Sequence, residues 1–255
     1  MSYQIDLRGK VALVTGGSRG LGRAMVLGLA RAGADVVIAS RKRENCEAVA
    51  QAVESLGRQA LAIAAHAGQT ESLDALLDAA YARFGRVDIL INNAGTNPVT
   101  AGLSDLTPEL FQKVFEVNTK GPWYLASRAA PRMAGHGGGA IINVISVAGL
   151  KPSAGQGFYA ASKSALHALT KVMAAEWASL GVRVNALAPG SFHSDMFDNS
   201  AKALPGLEDG AKAANLQKRI AETDEILGPV LYLVSDMASF TTGSTLVMDG
   251  GYLIL

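Results

Sequence analysis

The chain alternates short apolar segments with longer segments of helical spacing, and this alternation constrains its fold more than any other feature. Seven segments are apolar nearly throughout and predict β-strands, at 11–15, 36–40, 60–65, 87–92, 140–146, 182–188 and 245–249. Helical patterns fill 20–34, 43–57, 72–84, 107–134 and 158–180. Strands without a polar face are covered on both sides, and strands separated by helices run parallel. We therefore expect an α/β fold with a doubly wound, seven-stranded parallel sheet and helices on both faces.

Composition supports a single domain of this kind and argues against several function classes. Of the 255 residues, 49% are hydrophobic, which suffices for one core, so 1–255 is expected to form one domain. The formal net charge is +1, so nothing favours nucleic acid or a membrane surface as a partner. The single cysteine, Cys46, the polar start MSYQIDLRGK and the lack of a long apolar stretch indicate a cytoplasmic protein. We expect no bound metal.

One segment, 190–222, departs from the regular alternation. It begins PGSFHSDMF and continues with small and polar residues that show no clear period. Long irregular inserts in compact domains often close over a binding site. We therefore expect a substrate loop or lid at about 190–222.

A glycine-rich turn, TGGSRGLG at 15–22, lies between the first predicted strand and the first predicted helix. Three of its glycines, Gly16, Gly20 and Gly22, have the spacing G-x-x-x-G-x-G. Glycine permits a tight turn and lets the backbone approach a pyrophosphate at the positive N-terminus of the helix. A glycine turn that binds nothing is the alternative, but its position after the first strand of a β–α–β unit favours nucleotide binding. We predict a Rossmann-type dinucleotide site here.

The stretch IASRKREN, at 38–45, places three cations after the second predicted strand. In dinucleotide folds an acid at the end of this strand binds the adenosine ribose and selects NAD, whereas arginine suits the 2′-phosphate of NADP. Here Ser40 ends the strand and Arg41 follows, and a guanidinium offers phosphate two parallel donors. A solvated charge run is the alternative, although cations at a helix start oppose its dipole by about 0.3–1 kcal/mol each. We predict NADP(H), with NAD(H) as the weaker candidate, and a phosphate clamp of Arg41 and Arg19.

An acid–base pair is suggested by YAASK, which places Tyr159 and Lys163 on one face of a predicted helix. Free tyrosine has a pKa of about 10, which a nearby ammonium lowers. The pair alone also fits an exposed helix face, and Ser146 alone also fits a turn. However, Ser146 ends the fifth predicted strand, and open α/β sheets bind ligands at the carboxyl ends of their strands. We predict that Tyr159 exchanges a proton with the substrate while Ser146 hydrogen-bonds the substrate oxygen.

Six motifs, in the family's order, make the chain resemble the short-chain dehydrogenase/reductases, of the single-domain type with about 250 residues. Within that family it is similar to NADPH-dependent ketoreductases and 3-oxoacyl-carrier-protein reductases. The similarity runs from about Gly9 to Gly251. The matching stretches are TGGSRGLG, NNAG at 92–95, Asn118 in EVNTKG, the set Ser146, Tyr159 and Lys163, PG at 189–190, and DGG at 249–251.

The resemblance implies an oxidoreductase that transfers a hydride between NADP(H) and a carbonyl or secondary alcohol. It makes Tyr159 the proton donor and Ser146 the group that polarises the carbonyl. Lys163 would lower the Tyr159 pKa and bind the ribose, and Asn118 would hold a water in the proton relay. The cofactor site would comprise Gly16, Ser18, Arg19, Gly20, Leu21, Gly22, Ser40, Arg41, His66, Ala67, Asn93, Ala94, Gly95, Tyr159, Lys163, Pro189, Gly190, Phe192 and Ser194.

Three positions depart from the family's usual pattern or from regular structure. After the third strand, where many relatives have aspartate, this chain has His66 followed by Ala67. The imidazole either hydrogen-bonds adenine or only caps the strand end. Ser194 replaces a common threonine after the PG turn and keeps its hydroxyl. Pro229 lies within a predicted helix, which is tolerated in the first turn because those N–H groups have no helical partners.

The substrate pocket is expected from the stretches 97–100, 147–157 and 191–205. Its predicted lining is apolar and comprises Val147, Leu150, Phe158, Phe192, Met196 and Phe197. This lining favours an uncharged, partly hydrophobic ketone or alcohol. A 3-oxoacyl thioester, a cyclic ketone, and a sugar or polyol stay open as substrates, because pocket loops vary most within such folds.

Assembly and two other function classes complete the expectations. The resemblance implies a homotetramer that buries the apolar end GYLIL, with a homodimer, or a tail folded on its own core, as alternatives. A non-catalytic NADP-binding sensor would usually lack part of the catalytic set, which is complete here. Sugar-nucleotide epimerases and dehydratases share the Tyr-x-x-x-Lys motif but usually carry a larger substrate domain.

Overall fold

A seven-stranded parallel sheet forms the centre of the molecule, whose computed structural model describes residues 5–98 and 102–255. The strands are β1 Val11–Thr15, β2 Asp35–Ser40, β3 Ala60–Ala64, β4 Ile89–Asn92, β5 Gly139–Val144, β6 Val182–Pro189 and β7 Thr245–Met248. They are arranged in the order β3-β2-β1-β4-β5-β6-β7, and every neighbouring pair is parallel. This confirms the predicted doubly wound sheet. The order reverses between β1 and β4, so a crevice opens there at the carboxyl ends of the strands.

Helices cover both faces of the sheet. They are α1 Gly20–Arg31, α2 Arg43–Ser55, α3 Thr70–Phe84, α4 Pro108–Phe115, α5 Gly121–Ala134, α6 Gly157–Trp177, α7 Asp195–Ala203, α8 Leu207–Ala213 and α9 Leu227–Val234. Pro229 falls in the first turn of α9, as the sequence predicts. Within the described ranges, no helix is long and apolar enough to cross a membrane.

The strands are apolar on both faces because each face packs against its own helical layer. In β4, Ile89 and Ile91 belong to the core beneath α1, α2 and α9. Leu90, which points the opposite way, belongs to the core beneath α3, α5 and α6. All three side chains are at most 2% exposed, and burial of such a side chain stabilises the fold by roughly 1.5–3 kcal/mol. The missing polar alternation therefore follows from this two-sided covering.

The fifth strand ends earlier than the sequence predicts, and this places Ser146 in a turn. The ladder of β5 stops at Val144, although the Ile145 N–H still donates to the Leu187 carbonyl at 2.8 Å. The Ser146 hydroxyl then accepts a hydrogen bond from the Ala148 N–H at 3.1 Å, which turns the chain into a short 3₁₀ segment, Val147–Gly149. Ser146 therefore stands just beyond the sheet edge.

The segment 190–222 is more regular than predicted, because α7 and α8 lie within it. The Ser194 hydroxyl caps α7 by accepting from the Phe197 N–H at 3.3 Å. The two ends of the segment are joined by hydrogen bonds. Ala221 donates to the Ser191 carbonyl at 3.0 Å and accepts from the His193 N–H at 2.8 Å. Residues 194–220 thus form a helical hairpin with a closed base, which we call the lid hairpin.

Candidate active site

A cleft of about 1780 Å³ lies at the switch point of the sheet, between the strand ends and the lid hairpin. The structure places on its wall every residue of the expected cofactor site, together with Ser146, Val147, Met196 and Phe197. Residues 99 and 100 of the expected pocket lie outside the described residues. Two lining residues, Lys113 and Tyr252, carried no recognisable sequence signal.

Two residues of the predicted substrate lining, Phe158 and Leu150, do not lie on the wall of this cleft. Phe158 packs edge-on against Phe111 of α4, with ring centroids 5.1 Å apart. It precedes Tyr159 on a helix, so its side chain points about 100° away from that of Tyr159. Leu150 packs against the small core cluster that contains Ile145 and Leu166.

The glycine turn presents backbone to the cleft and has no room for a side chain at Gly16 or Gly22. Gly16 and Gly20 have φ angles of +66° and +50°, which favour glycine. A Cβ on Gly22 would overlap the Gly16 carbonyl oxygen, and one on Gly16 would lie 2.8 Å from the Asn93 amide nitrogen. Because the turn leads into the N-terminus of α1, its geometry fits a dinucleotide pyrophosphate.

The NNAG motif braces this turn from the next strand. The Thr15 hydroxyl accepts hydrogen bonds from the N–H groups of Asn93 and Ala94, both at 3.1 Å. The Asn93 side-chain amide donates to the Thr15 carbonyl at 3.0 Å and to the Gly16 carbonyl at 3.2 Å. The end of β4 therefore fixes the conformation of the turn that follows β1.

A buried chain of polar side chains, missed at the sequence level, links the sheet to α6. The Asn92 amide donates to Asn143 Oδ1 at 2.9 Å, and the Asn143 amide donates to the Thr170 hydroxyl at 2.9 Å. All three residues are at most 2% exposed. Losing one member would leave buried partners unsatisfied, at about 1–3 kcal/mol each. This chain fixes α6, and with it Tyr159 and Lys163, against β4 and β5.

Lys163 is buried at the floor of the cleft. It is 3% exposed, and its ammonium donates to the Val144 carbonyl at 2.7 Å. Its Nζ atom lies 5.9 Å from the centroid of the Tyr159 ring. Burial lowers the pKa of Lys163 from 10.5 to about 8. The side chain is therefore predominantly protonated near neutral pH but close to losing its proton.

The pKa of Tyr159 is raised, which is opposite to the lowering predicted from the sequence. Burial disfavours the phenolate and raises the pKa of Tyr159, and a hydrogen bond with Ser146 offsets part of this effect. The Lys163 ammonium does not reverse the outcome. Tyr159 is consequently a neutral phenol near pH 7, which is the form that can donate a proton.

The Asn118 side chain is hydrogen-bonded within the protein through both its oxygen and its amide group. It lies in a π-helical turn, Glu116–Lys120, and is fully buried. Its Oδ1 accepts from the Thr96 N–H at 2.8 Å, while its amide donates to the Thr96 carbonyl at 2.9 Å and to Ser162 Oγ at 3.0 Å. Both amide hydrogens are thus donated within the protein, and the water-holding role that the resemblance implies for Asn118 stays a prediction. The side chain joins the turn to the strand exit and to α6.

The cations around the expected phosphate site differ in their partners. Arg43 is paired with Glu47 at 2.8 Å, and Arg19 lies 3.6 Å from Asp195 of α7. Arg41 is exposed and forms no ion pair with any described residue. The Ser40 hydroxyl lies 3.2 Å from the Cys46 sulfur. Of the two arginines expected to bind the 2′-phosphate, Arg41 thus forms no ion pair with the described residues, while Arg19 faces Asp195 of the lid hairpin.

His66 has the capping geometry that was one of its two expected roles. Its Nδ1 accepts from the Gly68 N–H at 3.2 Å, and its own N–H donates to the Ser72 hydroxyl at 2.9 Å. An accepting Nδ1 places the ring hydrogen on Nε2 in the neutral form. The ring also lines the cleft, so this hydrogen is available to a ligand.

Comparison with known proteins finds relatives in both sequence and structure. A family profile described as short chain dehydrogenase matches residues 10–205. Dehydrogenase/reductase SDR family member 4 of Bos taurus is 38% identical over 253 residues, which cover 99% of this chain and 90% of that protein. Levodione reductase has a TM-score of 0.92 at 32% identity, covering 96% of this chain and 97% of that chain. A 7α-hydroxysteroid dehydrogenase complexed with NADH and 7-oxo glycochenodeoxycholic acid has a TM-score of 0.93 at 31% identity, covering 97% and 96%.

The chain therefore belongs to the short-chain dehydrogenase/reductase family. It is an oxidoreductase that acts on a small molecule carrying a carbonyl or alcohol group. Its cofactor is a nicotinamide dinucleotide, NAD(H) or NADP(H).

The buried ammonium of Lys163 predicts a specific pH dependence of stability. Below about pH 8 it is charged in the folded and unfolded chains alike, so the burial penalty is complete. From about pH 8 to 10.5 the folded protein loses this proton while the unfolded chain keeps it, so stability rises with pH. We expect the wild type to gain about 3 kcal/mol relative to Lys163→Met between about pH 7.5 and 10.5.

Urea unfolding of both proteins across this range measures the difference, and the variant cancels the titration of all other groups. Parallel stability curves for the two proteins would show that Lys163 titrates normally.

Proposed function

We propose that this protein is an NADP(H)-dependent reductase of uncharged, partly hydrophobic ketones, or the dehydrogenase of the corresponding secondary alcohols. The observation that carries the cofactor choice is the end of β2. Ser40 and the unpaired Arg41 stand there, within the cleft, in place of an acid that would bind a ribose hydroxyl. The solved relative complexed with NADH shows that the fold itself does not decide this choice.

The chemistry divides between the cofactor and the residues of this chain. The bound nicotinamide supplies or accepts the hydride. Tyr159, a phenol near neutral pH, gives its proton to the substrate oxygen during reduction. Ser146 accepts from the Ala148 N–H and keeps its own hydrogen, which can turn from Tyr159 to the substrate oxygen. The Lys163 ammonium would bind the ribose hydroxyls of the cofactor and would stabilise the charge that forms on Tyr159 as the proton leaves.

The proposed substrate class follows from the wall opposite the cofactor site. Val147, Phe192, Met196 and Phe197 line the cleft and favour apolar bulk around the reacting carbonyl. One solved relative is a levodione reductase and another is complexed with 7-oxo glycochenodeoxycholic acid, which supports cyclic ketones among the candidates. A 3-oxoacyl thioester and a sugar or polyol are the other members of the test panel.

Tyr159→Phe tests the catalytic assignment. Without the phenol proton we expect turnover of NADPH with a ketone panel to fall by at least about 10²-fold. NADPH affinity should change little. Tyr232→Phe is the matched control, because the Tyr232 hydroxyl pairs with Thr241 at 2.9 Å, outside the cleft lining.

Retained turnover in Tyr159→Phe would refute the assignment. A wild-type protein that binds NADPH but turns over no ketone or alcohol would favour the sensor alternative.

Arg41→Ala tests the cofactor choice. Loss of hydrogen bonds to a charged group should weaken NADPH binding by about 10- to 100-fold while NADH binding stays unchanged. Arg43→Ala is the control, since that guanidinium is already held by Glu47. Dissociation constants from fluorescence titration measure both effects, and equal or better use of NADH by the wild type would overturn the NADP(H) proposal.

We further propose a homotetramer, with a homodimer as the alternative. Two apolar surfaces support two kinds of subunit contact. One surface carries Phe111 and Trp123, which are 45% and 43% exposed, and the other carries Val247 and Ile254, which are 39% and 79% exposed. Sedimentation equilibrium should therefore give four times the chain mass of 26.4 kDa, and a monomer would contradict both assemblies.

A further inference from the structure

One ion pair connects the glycine turn to the lid hairpin across the mouth of the cleft. Arg19 immediately precedes α1, and Asp195 is the first residue of α7. Arg19 Nε and Asp195 Oδ2 are 3.6 Å apart. Within residues 5–98 and 102–255, no other ion pair links the two segments. The arginine expected at the 2′-phosphate is therefore engaged by a carboxylate of the lid.

The position of Asp195 is fixed by the base of the lid hairpin. Its neighbour Ser194 caps α7 and lies against the glycine turn, with its Cβ 3.5 Å from where a Cβ on Gly20 would stand. Two residues before Asp195, His193 is hydrogen-bonded to Ala221 across the closed base. The carboxylate therefore stays beside the N-terminus of α1, where the helix dipole favours an anion. A cofactor phosphate would also be stabilised by the dipole at the N-terminus of α1.

The ion pair between Arg19 and Asp195 is weak enough for another anion to replace the carboxylate. A distance of 3.6 Å between Nε and Oδ2 exceeds that of a hydrogen bond, and the two side chains are 64% and 50% exposed. Bidentate guanidinium–phosphate contacts are stronger than an exposed single contact of this kind. A 2′-phosphate can therefore displace Asp195 from Arg19, at the cost of leaving the carboxylate without its cation.

We propose that Asp195 competes with the 2′-phosphate of NADP(H) for the Arg19 guanidinium, and thereby sets the margin by which the protein prefers NADP(H) over NAD(H). This inference rests on the NADP(H) preference proposed above. It makes Asp195 a determinant of cofactor specificity that lies on the lid hairpin rather than at the end of β2. Because NAD(H) lacks the 2′-phosphate, the competition affects only NADP(H).

The test is a double-mutant cycle read as cofactor affinity. Dissociation constants for NADPH and NADH are measured by fluorescence titration for the wild type, Asp195→Asn, Arg19→Gln and the double variant. We expect Asp195→Asn to tighten NADPH binding by up to about fivefold and to leave NADH binding unchanged. In the Arg19→Gln background the same substitution should have no effect on NADPH binding. Asp198→Asn is the matched control, because Asp198 lies on the same helix and faces His193 at 3.6 Å.

Three outcomes would overturn the proposal. Equal tightening of NADPH and NADH would mean that Asp195 acts on the shared pyrophosphate. Weaker NADPH binding would mean that Asp195 orients Arg19 instead of competing for it. An effect that persists in the Arg19→Gln background would exclude Arg19 as the intermediary.

Failure of the NADP(H) preference itself is seen separately. It is read from the wild-type ratio of the two affinities and from Arg41→Ala, neither of which involves Asp195. Even without a wild-type preference, the cycle still measures how Asp195 and Arg19 are coupled towards NADPH.

Discussion

The candidate site depends on the hydrogen bonds that join the end of β4 to the turn after β1. Thr15 and Asn93 tie these two chain segments together at the point where the strand order reverses. Parallel strands diverge beyond their last ladder hydrogen bond, so other hydrogen bonds must hold the chain segments that border the crevice. Both partners are backbone or short polar groups, which allow close approach. The glycine turn can therefore keep its open backbone although its glycines have no side chains to pack.

Burial determines the protonation of the two ionisable groups at one end of the cleft, Lys163 and Tyr159. The sheet covers Lys163 so thoroughly that its ammonium keeps one firm protein partner, the Val144 carbonyl. The same burial disfavours a phenolate at Tyr159. In the described structure the Lys163 ammonium is thus closer to losing its proton, and Tyr159 keeps its proton as a neutral phenol. A positively charged nicotinamide would favour the phenolate, so the proposed proton transfer would depend on the redox state of the cofactor.

The sequence predicted those features that depend on local pattern or on position relative to a strand. Seven strands were predictable because two-sided burial removes polar alternation, as at Ile89 to Ile91. Features that depend on distant partners were not. The pairing of Asn92 with Asn143 joins positions 51 apart. The position of the Phe158 ring depends on its contact with Phe111 of α4, and α7 and α8 were hidden by small and polar residues. The pKa of Tyr159 was expected to fall because its burial could not be weighed against the charge of Lys163.

The closed base of the lid hairpin also bears on how such a protein can diverge. Because Ser191 and His193 are hydrogen-bonded to Ala221, the chain enters and leaves 194–220 at nearly the same place. Changes of length or sequence inside the hairpin need not disturb the strand ends beneath it. Substrate choice can then drift by exchange of one contiguous segment while the sheet and the glycine turn are inherited intact. Asp195 would travel with that segment, so a lid transplanted between relatives would carry part of the cofactor preference with it.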